Sequence, residues 1–287
     1  MTLLENIIVG GFAGVISRTI TAPIDLYKIQ LQNPYMPAKS LYDVTRMEGV
    51  RHLWKGNLSN CIRVFPQQAI SYFVYQRTHH TLSTQTLQNL QTLQNQTTKT
   101  FLSSFTGGSV ATLLTYPLET MRSRFSLQVN QSHYRSLSHA LRTTPIHHWY
   151  QGVGICMAGF PVFNALSFTV FHKLPPINHE MDRVIRGGLA GMVAVTVTYP
   201  TDLIRRRMQM QGFDASVPSY SSTRHAIKQI LRDQGIRGLY RGLGVCYLKL
   251  FPASGIQFYC YQWLHELFST KSINPYTHKR TKSQSKR

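Results

Sequence analysis

Three segments of this chain carry one six-residue pattern: Pro23-Ile24-Asp25-Leu26-Tyr27-Lys28, Pro117-Leu118-Glu119-Thr120-Met121-Arg122 and Pro200-Thr201-Asp202-Leu203-Ile204-Arg205. Each is a proline, an acid two residues on and a base three residues after that. Thirteen residues before each proline stands a small residue with glycine four further on: Gly10 and Gly14, Ser104 and Gly108, Gly187 and Gly191. Downstream come Trp54-Lys55-Gly56, Tyr150-Gln151-Gly152 and Tyr240-Arg241-Gly242, each followed by a second apolar stretch. An internal repeat of this length means stacked copies of one supersecondary unit. The units run over 1–97, 98–178 and 179–270, with a polar basic tail at 271–287. Each unit predicts two long helices and a short connecting one, which makes an all-α protein of six long helices in three pseudo-symmetric repeats.

The elements of the repeat have physical reasons. Small-xxx-small spacing lets helix backbones approach closely in lipid, where packing drives association. A proline inside a helix removes one backbone hydrogen bond and kinks it. Three such kinks related by symmetry can pinch a bundle shut at one end. An acid and a base three residues apart share a helix face, so around a three-fold axis the acid of one repeat can meet the base of the next. That predicts a ring of Asp25, Lys28, Glu119, Arg122, Asp202 and Arg205. The competing reading is three local pairs at helix breaks.

Composition agrees with a membrane protein built around a wet path. The chain has 31 Lys and Arg against 11 Asp and Glu, a formal net charge of +20, which suits an anionic membrane, an anionic substrate or a nucleic acid. Its mean hydropathy is only −0.17. Stretches such as 7–23, 104–117 and 187–200 are nevertheless apolar or small almost throughout, and a span needs roughly 20 residues. Polar residues inside such helices are tolerated where they face a bundle interior or water. The four cysteines show no metal or CxxC spacing and read as small apolar fillers. No catalytic constellation, metal site or nucleic-acid module is visible. The residues before Gly14 include Glu5 and lack a basic leader, so targeting is expected to rest on internal information or on another export route.

The three Pro-x-acid-x-x-base motifs, intact over nearly the whole length, resemble the mitochondrial carrier family. The resemblance implies six tilted helices with short matrix helices, both termini on the intermembrane-space side of the mitochondrial inner membrane, and alternating access with the six-residue ring as matrix gate. It implies Gln32 and Gln209 as braces of that gate. The aromatic-x-Gly turns resemble the family's cardiolipin sites, cardiolipin being the expected bound lipid, although Gln151 replaces a base in the second. A monomer with no cofactor, no metal and no nucleic-acid partner is implied.

The family places its substrate contacts on the even helices near the midplane, which here correspond to Arg63, the Gly159-Phe160 pair and Lys249. Arg63-Val64-Phe65-Pro66 and Lys249-Leu250-Phe251-Pro252 share one layout, whereas Pro161 stands one place early relative to Gly159. Neither Arg63 nor Lys249 has an acid nearby in sequence, and intramembrane bases without acids suit phosphate or carboxylate ligands. Gly56 through Ala69 resembles the second helix of ADP/ATP carriers, and Arg18 stands where those carriers have a phosphate-binding lysine. Arg205-Arg206-Arg207-Met208-Gln209 is similar both to them and to ATP-Mg/phosphate and coenzyme A carriers. Phe160 and Phe163 resemble an adenine-cupping pair, with ordinary helix packing as the alternative, and Thr198 joins the candidate substrate set. The implied function is exchange of ATP and ADP. The alternatives are transport of coenzyme A or another phosphorylated anion, and a carrier-fold scaffold that does not transport.

The other gate departs from the family. Even helices usually end in aromatic-acid-x-x-base. Here Tyr75-Gln76, Phe171-His172 and Tyr261-Gln262 put Gln, His and Gln where the acids stand, which predicts a weakly latched cytoplasmic gate. This departure and the Gln/Asn-rich segment 81–99 leave open a protist source, or a bacterial gene whose product is delivered to host mitochondria.

Overall fold

The computed structural model describes residues 3–33, 35, 38–84, 96–128, 134–175, 182–213 and 217–271. The tail at 272–287 and the linker segment 85–95 lie outside the described residues. Six long helices carry the fold: α1 (Leu3–Gln32), α3 (Asn57–Thr84), α4 (Gln96–Leu127), α7 (Val153–Lys173), α8 (Asp182–Met210) and α10 (Leu243–Lys271). The shortest has 21 residues, enough at about 1.5 Å per residue to cross a hydrocarbon core. Short helices α2 (Leu41–Glu48), α5 (Leu137–Thr143), α6 (Ile146–Trp149) and α9 (Thr223–Gly238) connect the pairs. There is no strand among the described residues.

Burial is arranged outside-in. Phe73 and Leu248 are 70% and 68% exposed, whereas Glu119 is 3% exposed. Apolar residues outside and charged residues inside are what a bundle in lipid around a polar path requires. Hydropathy finds only part of this: Ile7–Gln32 and Ile146–Lys173 are the stretches long and apolar enough to span by that criterion among the described residues.

The three-fold repeat is visible residue by residue. Each long helix holds one proline, at 23, 66, 117, 161, 200 and 252. Ser40, Ser136 and Ser222 cap α2, α5 and α9, each hydroxyl accepting from the backbone N–H three residues on. The repeats close on one another through α3 against α4, α7 against α8 and α10 against α1. Within repeats, Gly11 leaves room for the ring of Phe65 and Gly188 for that of Phe251, so the glycines admit large partners at equivalent places. Gly56, Gly152 and Gly242 have φ of 82°, 78° and 89°. A side chain there would be strained and would also meet the next repeat: the carbonyls of Arg122 and Arg205 lie 3.0 and 3.1 Å from such a Cβ, and that of Lys28 lies 3.6 Å away.

The odd helices end in unpaired carbonyls, and bases from neighbouring elements cap them. Arg124 Nε and Nη2 donate to the Gln209 and Gln211 carbonyls at 3.2 and 2.9 Å, and Arg207 Nε to the Gln32 carbonyl at 3.0 Å. The equivalent residue in repeat 1 is Gln30, and there Lys55 bonds the Gln128 carbonyl instead. Lys55 lies outside the spans, and burial pushes its ammonium below its ordinary pKa.

Candidate substrate site and gate

The six motif side chains meet at the level of the proline kinks. Arg122 Nη2 lies 2.5 Å from Asp25 Oδ2, Arg205 Nη1 3.0 Å from Glu119 Oε1, and Lys28 Nζ 3.0 Å from Asp202 Oδ2. Each acid thus pairs with the base of the following repeat. The local alternative is realised once: Arg205 Nη2 also reaches Asp202 Oδ1 at 2.7 Å. Gln32 Nε2 donates to Tyr199 Oη at 3.2 Å and to Asp202 at 3.4 Å, under the Lys28 corner. Gln209 Oε1 accepts from Ser123 and from Arg206, at 2.8 and 3.2 Å, one contact removed from Glu119.

Above the ring lies a cavity of about 370 Å³, bordered by Arg63, Gly159, Phe160, Phe163, Thr198 and the Glu119 and Asp202 corners. Five candidate substrate residues therefore share one space. Two do not border it. Arg18 lines an adjoining cavity of about 440 Å³ with Gln67, Gln68 and Ser71, and Lys249 sits at Asp25. Gln67 lines both cavities. Gly159 is the seventh residue after Gly152, as Arg63 is after Gly56 and Lys249 after Gly242. Its presence on the cavity wall favours that register despite the early Pro161.

The expectation that Arg63 and Lys249 stand without acids is overturned. Arg63 Nη1 lies 2.7 Å from Glu119 Oε2, and Lys249 Nζ 2.7 Å from Asp25 Oδ1. Their partners are 56 and 224 residues away in the chain, invisible to a search of near neighbours. Arg206 is a further base at the ring, 3.1 Å from Glu119 Oε1. Its place four residues after Asp202 puts it on the motif face, a signal that a helical-wheel reading contains. Arg18 makes no ion pair among the described residues; its Nη1 reaches the carbonyl and Oδ1 of Asn60, each at 3.5 Å. The reading of the cysteines as apolar fillers is corrected for Cys156, whose Sγ accepts from Arg205 Nη1 at 3.1 Å, while Cys246 and Cys260 pack in apolar clusters as expected.

At the opposite end of the bundle, Gln76 donates to Tyr72 Oη one turn back, and His172 Nδ1 lies 2.9 Å from the Phe168 carbonyl, also one turn back. Both contacts stay within one helix. The Arg186–Asp182 ion pair at this end likewise lies within α8.

The family model described as "Mitochondrial carrier protein" matches residues 1–86, 93–177 and 178–272. The chain is 31% identical to mitochondrial substrate carrier family protein P of Dictyostelium discoideum, over 91% of this chain and 93% of that one. It is 32% identical to a mitochondrial thiamine pyrophosphate carrier of Aspergillus niger, over 91% of each chain. It is 30% identical to a mitochondrial adenine nucleotide transporter of Arabidopsis thaliana, over 94% of this chain and 88% of that one. Three matched segments, three motif copies and one closed ring lead to the same conclusion: the chain belongs to the mitochondrial carrier family, whose members are integral transporters of the mitochondrial inner membrane and not enzymes.

Proposed function

We propose that this carrier exchanges adenine nucleotides, ATP and ADP, by alternating access across the mitochondrial inner membrane. The observation that supports it best is the charge at the ring and cavity. Lys28, Arg122, Arg205, Arg206, Arg63, Lys249 and Arg18 are seven cations, set against the carboxylates of Asp25, Glu119 and Asp202, an excess of four. ADP and ATP carry about three and four negative charges near neutral pH, since each terminal phosphate loses its second proton near pH 6. Phe160 and Phe163 on the cavity wall offer faces to a flat base. A thiazolium diphosphate has a similar shape, but its ring cation offsets part of the phosphate charge, so it matches the excess less well.

The mechanism follows from the shared partners. Substrate phosphates compete with Glu119 and Asp25 for Arg63 and Lys249. Once those bases turn to phosphate, the carboxylates lose part of their hold, and substrate shifts the equilibrium toward an open ring. Arg18, which makes no ion pair among the described residues, is the first charged contact. Cardiolipin phosphates are assigned to the turns at Gly56, Gly152 and Gly242, where helix N-termini offer backbone N–H groups. The relatives named above are eukaryotic, and a bacterial source rests on composition alone.

Thermal unfolding of the purified carrier tests the substrate. A ligand at one hundred times its Kd stabilises a folded protein by about 2.7 kcal/mol. ADP and ATP are expected to raise the melting temperature, thiamine diphosphate and coenzyme A to raise it less, and Arg18→Ala to weaken the nucleotide effect. A larger rise with thiamine diphosphate or coenzyme A than with either nucleotide contradicts the assignment.

A further inference from the structure

Four residues after the left-handed glycines Gly56, Gly152 and Gly242 stand Asn60, Cys156 and Cys246. They occupy the first turn of α3, α7 and α10, directly above the ring. Arg122 Nη1 donates to Asn60 Oδ1 at 3.2 Å, and Arg205 Nη1 to Cys156 Sγ at 3.1 Å. Cys246, at the third equivalent place, is buried and borders the same cavity as Lys28. The pattern is cyclic. Asp25 and Asn60 of repeat 1 hold Arg122 of repeat 2, and Glu119 and Cys156 of repeat 2 hold Arg205 of repeat 3. Asp202 of repeat 3 holds Lys28 of repeat 1, and Cys246 stands at the third place within an apolar cluster with Tyr199 and Leu203, without a hydrogen bond to Lys28 among the described residues.

We propose that Asn60, Cys156 and Cys246 are the positioning residues of the gate, a second ring that orients each base toward its carboxylate from the cavity side. A guanidinium has five donors and one carboxylate cannot satisfy them all. A donor left over in a buried site must find another acceptor or destabilise the closed form. The acceptors are unequal. An amide oxygen is a strong acceptor and a thiol sulfur a weak one, so of the three Asn60 is the strongest acceptor, whereas Arg205 has a second carboxylate, Asp202, beside its thiol. The Arg122 corner is also the one joined to Arg18, because Asn60 Oδ1 accepts from both arginines. Occupation of Arg18 by an anion therefore reaches the gate through one shared oxygen. This coupling to Arg18 rests on the substrate reading above; the acceptor ring itself does not.

Alanine and serine substitutions separate an acceptor from an apolar filler, because the two roles rank them oppositely. If the cysteines position the bases, Cys156→Ser and Cys246→Ser keep an acceptor, and Cys156→Ala and Cys246→Ala do not. The substrate-free melting temperature is then expected to be higher for serine than for alanine at both places, and Asn60→Ala is expected to lower it further. In proteoliposome exchange, the alanine variants are expected to change Vmax several-fold with KM within about twofold, which loss of general packing does not predict. Alanine as stable as serine at both cysteines, or an Asn60→Ala protein with unchanged melting temperature and Vmax, overturns the proposal. If the wild-type protein moves no nucleotide, the substrate reading fails while the melting order still decides this one.

Discussion

Lys28→Asp is expected to abolish transport, and adding Asp202→Lys to the same chain to restore a measurable part of it. Among the described residues Lys28 has one carboxylate partner, Asp202, at 3.0 Å. Reversing it places two carboxylates together at a buried corner. Breaking a buried pair costs about 3–5 kcal/mol, roughly two to three orders of magnitude in any equilibrium that depends on the closed ring. The double reversal restores the pair but moves the ammonium beside Arg205, which contacts Asp202 in the native ring, so rescue is partial. Asp25→Arg with Arg122→Asp behaves similarly, limited by Lys249 at 2.7 Å from Asp25. Glu119→Arg with Arg205→Glu is expected to fail, because Arg63 and Arg206 also converge on Glu119. Uptake rates of the six singles and three doubles check this order. If no double exceeds its singles, the ring is not an inter-repeat gate.

Without substrate, cysteines placed at Gln76 and Gln262 are expected to react with a bulky aqueous thiol reagent from the cytoplasmic side, and a cysteine near Arg63 to react from that side and not from the matrix. The family's cytoplasmic ring needs an acid on each even helix, and this chain has Gln76, His172 and Gln262. Neutral hydrogen bonds between such groups are roughly half as strong as charge-assisted ones. In the structure, Gln76 and His172 satisfy themselves within their own helices, while the other ring is closed at all three corners. The two gates are therefore unequal, and about 1.4 kcal/mol of imbalance moves the population ratio tenfold. Protection on the cytoplasmic side, together with labelling from the matrix side, reverses the assignment of the resting state.

The parts of this molecule legible in its sequence are those that repeat. The motif prolines, the small residues before them and the motif charges recur at fixed spacing, and the left-handed glycines recur in the same order, so three copies vouch for one another. The cyclic pairing of Asp25, Glu119 and Asp202 with the next repeat's base follows from that spacing plus three-fold closure. What escaped is asymmetric or non-local. Arg63 and Lys249 find their acids on other helices across long stretches of chain, which no local window contains. Arg206 was hidden inside a run of three arginines, although its neighbour Arg207 turns away to Gln32 and Gln234. Asn60, Cys156 and Cys246 differ in chemistry, so their equivalence emerges only by counting from the glycines. Gln30 breaks the set formed with Arg124 and Arg207, and Lys55 takes its capping role from a different element.

Proteoliposomes preloaded with unlabelled ATP and exposed to labelled ADP provide the most direct test of a nucleotide exchanger built on this cavity. Saturable uptake that requires internal nucleotide is predicted, reduced at least tenfold in Arg63→Ala and in Lys249→Ala, since loss of one charge-assisted contact costs about 1.5–3 kcal/mol. Uptake that is absent while thiamine diphosphate exchanges, or that is equal in the wild type and both variants, contradicts it.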